Sequence, residues 1–466
     1  MLPVVALVGR PNVGKSTLFN VMTRSRDALV HDLPGVTRDR HYGVCRIAAT
    51  PFVVVDTGGF IENAEGLDSQ TARQAEFAID EADVVLLTVD ARDGLLPTDR
   101  AILDRLRRSG KPMLLVVNKV DGLDENTVLA EFSVLGVADV FPTSAAHSRG
   151  LTPLLATVQS LLPAMEADPL AESADDGIRV AIVGRPNVGK STLVNRLLGE
   201  ERVIASDVPG TTRDSIRIAL ERDGKRYTLI DTAGIRRRAR VEDALEKFSV
   251  IKSLQSVEAA HVTVLMLDAR EGVSEQDATL IGHVLESGRA LVVAVNKWDG
   301  LDKYQREQCT TSLARKLDFA AWARQVYISA LHGSGIAELM KAVNRAYASA
   351  NHVFTSSELT RAVEAAYQAY QPPLVRGHTP KLKYAHPGGA NPPTIIIHGS
   401  RTKHIADGYR RYLENFFRKR YRLEGTPIQI VFRDGENPYA GKRNELTEGQ
   451  QRRRTRMIRN AKRGKS

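Results

Sequence analysis

Short runs of consecutive apolar residues alternate with longer amphipathic segments along the first three quarters of the chain. Runs such as VVLLTVD show no polar alternation, which is typical of strands covered on both faces of a parallel sheet. The first 162 residues contain five such runs, which we predict as strands at Pro3–Val8, Phe52–Asp56, Val84–Asp90, Pro112–Asn118 and Val140–Thr143. The pattern predicts an α/β domain with a mostly parallel sheet, and such folds bind ligands at the carboxyl ends of their strands.

The same pattern returns further along the chain. Five motifs recur in the same order, as the pairs GRPNVGKS at 9–16 and 184–191, PGVTRD at 34–39 and PGTTRD at 209–214, VVVDTGG at 53–59 and TLIDTAG at 228–234, VVNKVD at 116–121 and AVNKWD at 294–299, and PTSA at 142–145 and YISA at 327–330. The spacing between the copies is constant over the first three motifs and increases only after them. We therefore predict two copies of one domain, with short insertions in the second.

The repeats and the changes of composition divide the chain into five predicted segments. They are the first copy at 1–162, an acidic linker at 163–177, the second copy at 178–351, a small α+β domain at 352–440 and a basic tail at 441–466. The linker has five acidic residues, no basic residue and no periodicity, so we expect it to be flexible. In the small domain, a capping-box sequence TSSE opens a predicted α-β-β-α-β order.

Positive charge is concentrated at the C-terminal end of the chain. The net charge is +10, and residues 351–466 hold 23 Lys and Arg against 9 Asp and Glu. This end predicts either a nucleic-acid contact or a solvated tail that maintains solubility. The tail QRRRTRMIRNAKRGK is the stronger candidate for RNA binding.

Other features of composition point to a cytoplasmic protein without a membrane partner. The two cysteines, Cys45 and Cys309, are far apart, which argues against a disulfide scaffold or a cysteine zinc site. The N-terminal MLPVVALVGR is better explained as a buried strand than as a signal peptide. No apolar run approaches the ~18 residues that a membrane helix needs.

The first motif has the form of a phosphate-binding loop in both copies. Each example follows a predicted strand and precedes a helical run, which is the context that such a loop requires. Backbone N–H groups and the helix N-terminus would surround the phosphates, with Lys15 and Lys190 at the β- and γ-phosphates. The predicted nucleotide-binding residues are Gly9, Arg10, Pro11, Asn12, Val13, Gly14, Lys15 and Ser16, with Gly184, Arg185, Pro186, Asn187, Val188, Gly189, Lys190 and Ser191.

The second and third motifs supply candidates for a Mg²⁺ site. An aspartate ending a strand would face the metal through water, and a loop threonine would complete the metal shell when the γ-phosphate is present. The predicted metal residues are Ser16, Thr37 and Asp56 in the first copy and Ser191, Thr212 and Asp231 in the second. Thr211 competes with Thr212, but its counterpart is Val36. The surrounding predicted nucleotide contacts are Thr57, Gly58, Gly59 and Phe60, and Thr232, Ala233, Gly234 and Ile235.

The fourth motif indicates which base is bound. A carboxylate accepts hydrogen bonds from both N1–H and the N2 amine of guanine, and adenine lacks these donors, so a buried acid would reject it. A backbone N–H of the fifth motif would contact guanine O6. The predicted base-binding residues are Asn118, Lys119, Val120, Asp121, Ser144 and Ala145, with Asn296, Lys297, Trp298, Asp299, Ser329 and Ala330. An ordinary strand end is the alternative interpretation of either copy.

One expected residue is absent from both copies. Many GTPases place a water-orienting glutamine directly after the third motif. Phe60 and Ile235 stand there instead, and neither side chain can hold a water molecule. We expect slow intrinsic hydrolysis unless another group supplies the missing charge or orientation.

With these residues, nearly the whole chain resembles the Der (EngA) family of bacterial GTPases. That resemblance implies two tandem P-loop NTPase (Ras-like) G domains followed by a KH-like domain. It implies a monomeric, cytoplasmic GTPase that binds GTP or GDP at two sites and acts in assembly of the large (50S) ribosomal subunit, with its rRNA as partner. The alternative is a GTPase partner of a tRNA-modification or other RNA-processing system.

The resemblance adds expectations about catalysis and about the third domain. Relatives with a hydrophobic residue in place of the glutamine are often stimulated by K⁺, and Asn12 and Asn187 match the asparagine that helps to hold the ion. With Lys15 and Lys190 they are the candidate catalytic residues; loop geometry alone is the alternative reason for the asparagines. KH domains usually grip RNA with a Gly-x-x-Gly loop. No such spacing occurs after residue 350, so the domain is expected either to pack on a G domain or to touch RNA through scattered Arg and Lys.

Overall fold

The computed structural model describes residues 2–23, 42–57, 79–163, 177–200, 202–204, 217–230, 249–374, 378–402 and 405–434. These residues form three sheets, each flanked by its own helices. The order of elements confirms the fold class that the sequence predicts, with two mostly parallel α/β units before a smaller α+β unit. No helix among the described residues is long and apolar enough to cross a membrane.

The first sheet contains six strands in the order β2-β3-β1-β4-β5-β6. Its strands are β1 Val4–Val8, β2 Tyr42–Cys45, β3 Phe52–Asp56, β4 Val84–Asp90, β5 Met113–Asn118 and β6 Val140–Pro142. Its helices are α1 Lys15–Thr23, α2 Pro97–Ser109, α3 Glu125–Ser133 and α4 Leu151–Leu161. All strand pairs are parallel except β2–β3. The five predicted strands are confirmed within one residue at each end.

Strand β2 was missed by the sequence analysis. It is a four-residue antiparallel strand at the edge of the sheet, and it pairs only with β3. Its sequence YGVC is too short to show a period, and it includes a glycine, which is usually depleted in strands. Glycine is favoured at position 43 because a side chain there would collide with Thr23 and Phe19 of α1.

The second sheet contains seven strands in the order β13-β12-β11-β7-β10-β9-β8. Its strands are β7 Ile178–Val183, β8 Arg202–Ile204, β9 Ile218–Arg222, β10 Lys225–Ile230, β11 Val262–Asp268, β12 Ala290–Asn296 and β13 Arg324–Tyr327. Its helices are α5 Lys190–Glu200, α6 Ser249–Ala259, α7 Glu275–Glu286, α8 Lys303–Lys316 and α9 Ile336–Ala350. All seven residues of β11 and of β12 are buried, as their unbroken apolar sequences require.

The C-terminal unit has the predicted α-β-β-α-β order. Its elements are α10 Ser356–Ala369, β14 Lys381–Gly389, β15 Thr394–Ser400, α11 Asp407–Tyr421 and β16 Gln429–Asp434. The sheet order is β14-β15-β16, with one antiparallel and one parallel pair. The aromatic stripe of α11 packs into the core, since Tyr409, Leu413 and Phe417 are buried.

The C-terminal unit docks on the second copy at the amino end of β12. The Gly425 carbonyl accepts from Leu291 N at 2.8 Å, and Gly425 N donates to the Trp322 carbonyl at 3.0 Å. The Arg418 guanidinium lies over the Trp322 ring, 5.2 Å from its centroid. This contact lies at the opposite end of the sheet from the carboxyl edge, where β12 ends in Asn296.

The first and second copies also touch each other. Helix α6 of the second copy packs against β2 and β3, where Leu254 joins an apolar cluster with residues of the first sheet. Arg46 forms an ion pair with Glu258, and Gln255 Nε2 donates to the Leu2 carbonyl at 2.6 Å. The helix that follows the third motif of one copy therefore packs on the sheet edge of the other.

Candidate functional site

The phosphate loop of each copy turns between a central strand and the helix that follows it. In the first copy this loop joins β1 to α1, and in the second it joins β7 to α5. Asn12 and Asn187 both adopt left-handed backbone, with φ of 64° and 61°, and both are exposed. The two loops therefore share the left-handed turn at this asparagine.

Glycine is required at the sixth position of the loop for a steric reason. Gly14 and Gly189 have φ of 93° and 100°, a region that residues with a Cβ rarely adopt. A Cβ at Gly14 would collide with the amide of Asn118, and one at Gly189 with the amide of Asn296. The loop thus approaches the fourth motif closely in both copies.

The loop lysines lie inside the curve of the loop. Lys15 is buried, and its Nζ donates to the Arg10 carbonyl at 2.6 Å. Lys190 Nζ donates to the carbonyls of Gly184 and Arg185 at 2.7 and 2.5 Å. The ammonium groups are therefore held by the same backbone that would surround the phosphates.

In the first copy, the structure brings together two of the predicted metal residues. Ser16 Oγ donates to Asp56 Oδ2 at 2.6 Å, and Asp56 is buried at the end of β3. Thr57 is fixed behind it, because its hydroxyl donates to the Leu7 carbonyl at 2.6 Å. A hydroxyl and a carboxylate are the hard oxygen ligands that Mg²⁺ prefers, so the residues present fit that ion.

The other predicted switch and metal residues lie outside the described part of the chain. In the first copy these are Thr37, Gly58, Gly59 and Phe60. In the second copy they are Thr212, Asp231, Thr232, Ala233, Gly234 and Ile235.

The asparagine of the fourth motif joins two loops. Asn118 Nδ2 donates to the Val13 carbonyl of the phosphate loop at 2.9 Å, and Asn118 Oδ1 accepts from Ala145 N at 3.0 Å. The second copy repeats both bonds, at 2.7 and 2.9 Å, with Asn296, Val188 and Ala330. The N–H groups that we expected at guanine O6 are thus engaged with these buried asparagines.

The lysine of the fourth motif leads to an acid that the sequence analysis missed. Lys119 Nζ lies 2.6 Å from Asp90 Oδ2 and donates to the Asn12 carbonyl at 2.6 Å. Lys297 Nζ lies 2.6 Å from Asp268 Oδ2 in the second copy. Burial would raise the pKa of Asp90, but the Lys119 ammonium and the Arg92 N–H outweigh it, and the pKa lies below its usual value. The recurring DAR sequence after β4 and β11 is the signal that could have revealed these acids.

The carboxylates that the sequence predicts to select the base, Asp121 and Asp299, are only partly buried. The side chains of Asp121 and Asp299 are 24% and 39% exposed, so the rest of the chain covers each acid only in part. The neighbouring Ser144 hydroxyl lowers the pKa of Asp121, and the neighbouring Ser329 hydroxyl lowers the pKa of Asp299. Both carboxylates are therefore ionised at neutral pH and able to accept from guanine.

Each base-selecting acid also has a nearby histidine. His147 Nε2 lies 3.9 Å from Asp121 Oδ1, and His332 Nε2 lies 3.3 Å from Asp299 Oδ2. Between the lysine and the acid, Val120 is buried in the core, and Trp298 packs on Tyr327 with ring centroids 4.2 Å apart. Val120 and Trp298 therefore anchor the fourth motif by packing against neighbouring side chains.

The arginine of each phosphate loop contacts one acid in the first turn of α2 or α7 and one acid in the loop before that helix. Arg10 Nε lies 3.3 Å from Asp99 Oδ1, and Arg10 Nη1 lies 2.9 Å from Asp93 Oδ2. The second copy repeats the pattern at 2.9 and 2.8 Å with Arg185, Asp277 and Glu271. Asp99 and Asp277 are completely buried in the first turns of α2 and α7. The guanidinium groups of Arg10 and Arg185 thus connect the phosphate loops to α2 and α7.

Comparison with known proteins agrees with this duplicated geometry. A family profile described as a 50S ribosome-binding GTPase matches residues 4–119 and again residues 179–297. The curated GTPase Der of Xanthomonas axonopodis pv. citri is 59% identical over 463 residues, which cover 99% of this chain and 100% of that protein. The chain belongs to the GTPase Der family. The Der protein of Xylella fastidiosa strain M23 is 58% identical over 464 residues with the same coverage.

Membership of the Der family makes this chain a GTP-binding GTPase and confirms the resemblance seen in the sequence. A second profile, the KH-domain-like C-terminal domain of EngA bacterial GTPases, matches residues 354–433. The alternative of a tRNA-modification partner is not favoured by these Der matches. Among solved structures, Aquifex aeolicus Era bound to GDP·AlF4⁻ is 24% identical, with a TM-score of 0.29 and coverage of 56% of this chain and 94% of that chain.

Proposed function

We propose that this protein is a Mg²⁺-dependent GTPase switch with two nucleotide sites that acts in assembly of the large ribosomal subunit in the cytoplasm. The observation that carries the proposal is the repetition of one site geometry in two copies, within a chain matched by a 50S ribosome-binding GTPase profile. We further propose that it works as a monomer, divided into the five segments that the sequence predicts.

The described residues divide the work at each site. Asp121 and Asp299 select guanine, Asn118 and Asn296 hold the base loop against the phosphate loop, and Lys15 and Lys190 neutralise the phosphates. Ser16 and Asp56 would hold Mg²⁺ in the first site, as would their counterparts Ser191 and Asp231 in the second. The ion, when bound, offsets the negative charge of the β- and γ-phosphates. The chain's own part is to bind and orient the substrate so that little reorganisation accompanies the reaction.

We propose that K⁺ supplies part of the charge that an arginine finger gives in other GTPases. The Asn12 and Asn187 side chains are exposed on the loop surface, and their amide oxygens are ligands of the type that accept alkali cations. The Asn12 carbonyl is already bound by Lys119, which leaves the side chain as the ligand.

Replacing NaCl by KCl at matched ionic strength is expected to raise the GTPase rate by about tenfold or more, because an arginine finger is worth about 10³–10⁵ in rate. Steady-state phosphate release measures this effect. Asn12→Ala and Asn187→Ala should each remove the gain at one site, while Asn126→Ala, an exposed asparagine on α3, should keep it. Equal rates in the two salts would refute the proposal.

Association with ribosomal subunits tests the proposed function itself. With a nonhydrolysable GTP analogue, the full-length protein should sediment with the large subunit and not with the small one, and GDP should release it. Ser191→Ala should change this response in a different way from Ser16→Ala, because α6, which follows the third motif of the second copy, packs on the first copy. Sedimentation with neither subunit in any nucleotide state would overturn the proposal.

A further inference from the structure

The outer face of the C-terminal sheet carries side chains that the core does not use. Strand alternation sends Ala385, Ile395, Ile397 and Ile430 into the core. The residues that alternate with these core positions lie on the opposite face of the sheet. They are Tyr384, His386, Ile396, His398, Val431 and Arg433. This outer face is defined by these six residues, and the described helices α10 and α11 pack with the core residues on the other side of the sheet.

Three of these side chains form one row across the sheet. Tyr384 on β14 pairs in register with His398 on β15, and His398 pairs with Arg433 on β16. The Tyr384 and His398 rings are parallel within 7°, with centroids 4.4 Å apart. Because β14 is the edge strand and Tyr384 is 48% exposed, the ring stack opens to solvent at the tyrosine.

Hydrogen bonds connect His398 of the stack to His386. His386 Nδ1 lies 3.0 Å from the Pro387 carbonyl, which only accepts, so this nitrogen carries the proton. His386 Nε2 therefore accepts from His398 Nε2, 3.1 Å away. Burial, His386 and Arg433 lower the pKa of His398, which keeps its ring neutral at physiological pH. A fixed, neutral ring is a good surface for stacking.

The charge around the stack suits a polyanion. The strands β14, β15 and β16 carry three basic residues, Lys381, Lys383 and Arg433, against one acid, Asp434. Thr402 engages that acid through its N–H and its hydroxyl, at 2.6 and 2.7 Å. The two lysines are exposed on the same edge strand as Tyr384. An aromatic stack with lysines beside it is the arrangement that holds unpaired bases and their phosphates.

We propose that the outer face of the C-terminal sheet is a binding platform for single-stranded RNA, on which a base stacks against Tyr384 while Lys381, Lys383 and Arg433 contact the backbone. Because no Gly-x-x-Gly spacing occurs in this unit, any RNA that it contacts would be held by another of its surfaces. The proposal rests on the proposed function in ribosome assembly, since it names the surface that would contact rRNA. Duplex RNA does not fit, because its bases are already stacked on one another.

Fluorescence anisotropy with the full-length protein and a labelled twelve-nucleotide single-stranded RNA tests the platform. Measurement at about 0.3 M KCl suppresses purely electrostatic binding by the basic tail. Tyr384→Ala should weaken binding about 5- to 100-fold, the usual effect of losing one base–aromatic stack. Tyr384→Phe should restore it, and Lys383→Ala should lower the salt slope by about one.

Two controls make the outcome decisive. Tyr304→Ala removes another exposed tyrosine, on α8, and should leave RNA affinity unchanged. Unchanged GTPase rates and thermal melting should show that Tyr384→Ala still folds. Wild-type affinity in Tyr384→Ala, or equal competition by a twelve-pair RNA duplex, would overturn the platform. If the wild-type protein binds the oligonucleotide through Tyr384 but never sediments with large subunits, the platform stands and the proposed function fails.

Discussion

Replacing Asn118 by alanine is expected to weaken GTP binding at the first site by about 10²–10³-fold and to leave the second site unchanged. The substitution removes the donor to the Val13 carbonyl and the acceptor for Ala145 N. Each buried polar group left without a partner costs about 1–3 kcal/mol, and a factor of ten in affinity is about 1.4 kcal/mol. The phosphate loop and the base loop would then lose the bridge that holds them at one spacing.

Calorimetry with a nonhydrolysable GTP analogue separates the two sites. The wild-type protein should take up two nucleotides, and Asn118→Ala only one at the original affinity. Asn296→Ala should give the mirror-image result, because its two hydrogen bonds are the same. Asn126→Ala is the matched control, since it removes an exposed asparagine of the first copy. Unaltered binding in Asn118→Ala would show that the bridge is dispensable.

Replacing Asp121 or Asp299 by asparagine is expected to lower the preference for GTP over ATP at that site by about a hundredfold or more. The amide offers a donor where guanine N1–H also donates, so one hydrogen bond is lost and a repulsive contact replaces it. Competition against a fluorescent GDP analogue measures the ratio of affinities. Asp104→Asn, which changes an exposed acid on α2, should keep the wild-type ratio.

The pH dependence of this preference follows from the serine contacts. Ser144 and Ser329 stabilise the ionised carboxylates and lower their pKa values. Because each pKa is lowered, both carboxylates stay ionised down to a more acidic pH than an ordinary aspartate, and the GTP preference should be constant between about pH 6 and pH 8. A loss of preference already at pH 6 would mean that the carboxylates are not the selecting groups.

The sequence predicted the fold well, because the fold class depends on local patterns. Unbroken apolar runs identified the buried strands, and the motif spacing placed the loops at their carboxyl ends. Contacts between residues that are far apart in the sequence were harder to predict. The sequence analysis did not single out Asp90 or Asp99, because only folding brings them to Lys119 and Arg10.

Other differences arise from packing that has no sequence period. The exposed fractions of Asp121 and Asp299 depend on how far each loop projects from its sheet. The sequence analysis placed Asn118 among the base contacts. In the structure its side chain bridges the phosphate loop and the fifth motif, and the close approach of Gly14 to Asn118 is visible only in three dimensions. The docking of the C-terminal unit uses backbone groups, such as Gly425 O and Leu291 N, which leave no hydrophobic or charge pattern in the sequence.

Strand β12 has a mechanical consequence. Near one end, Leu291 N is bonded to the C-terminal unit, and at the other end Asn296 braces the guanine loop. The strand is wholly buried, and its seven residues span about 23 Å. One buried strand thus connects the C-terminal unit to the second predicted nucleotide site. A displacement of the C-terminal unit would therefore be transmitted through β12 to that site.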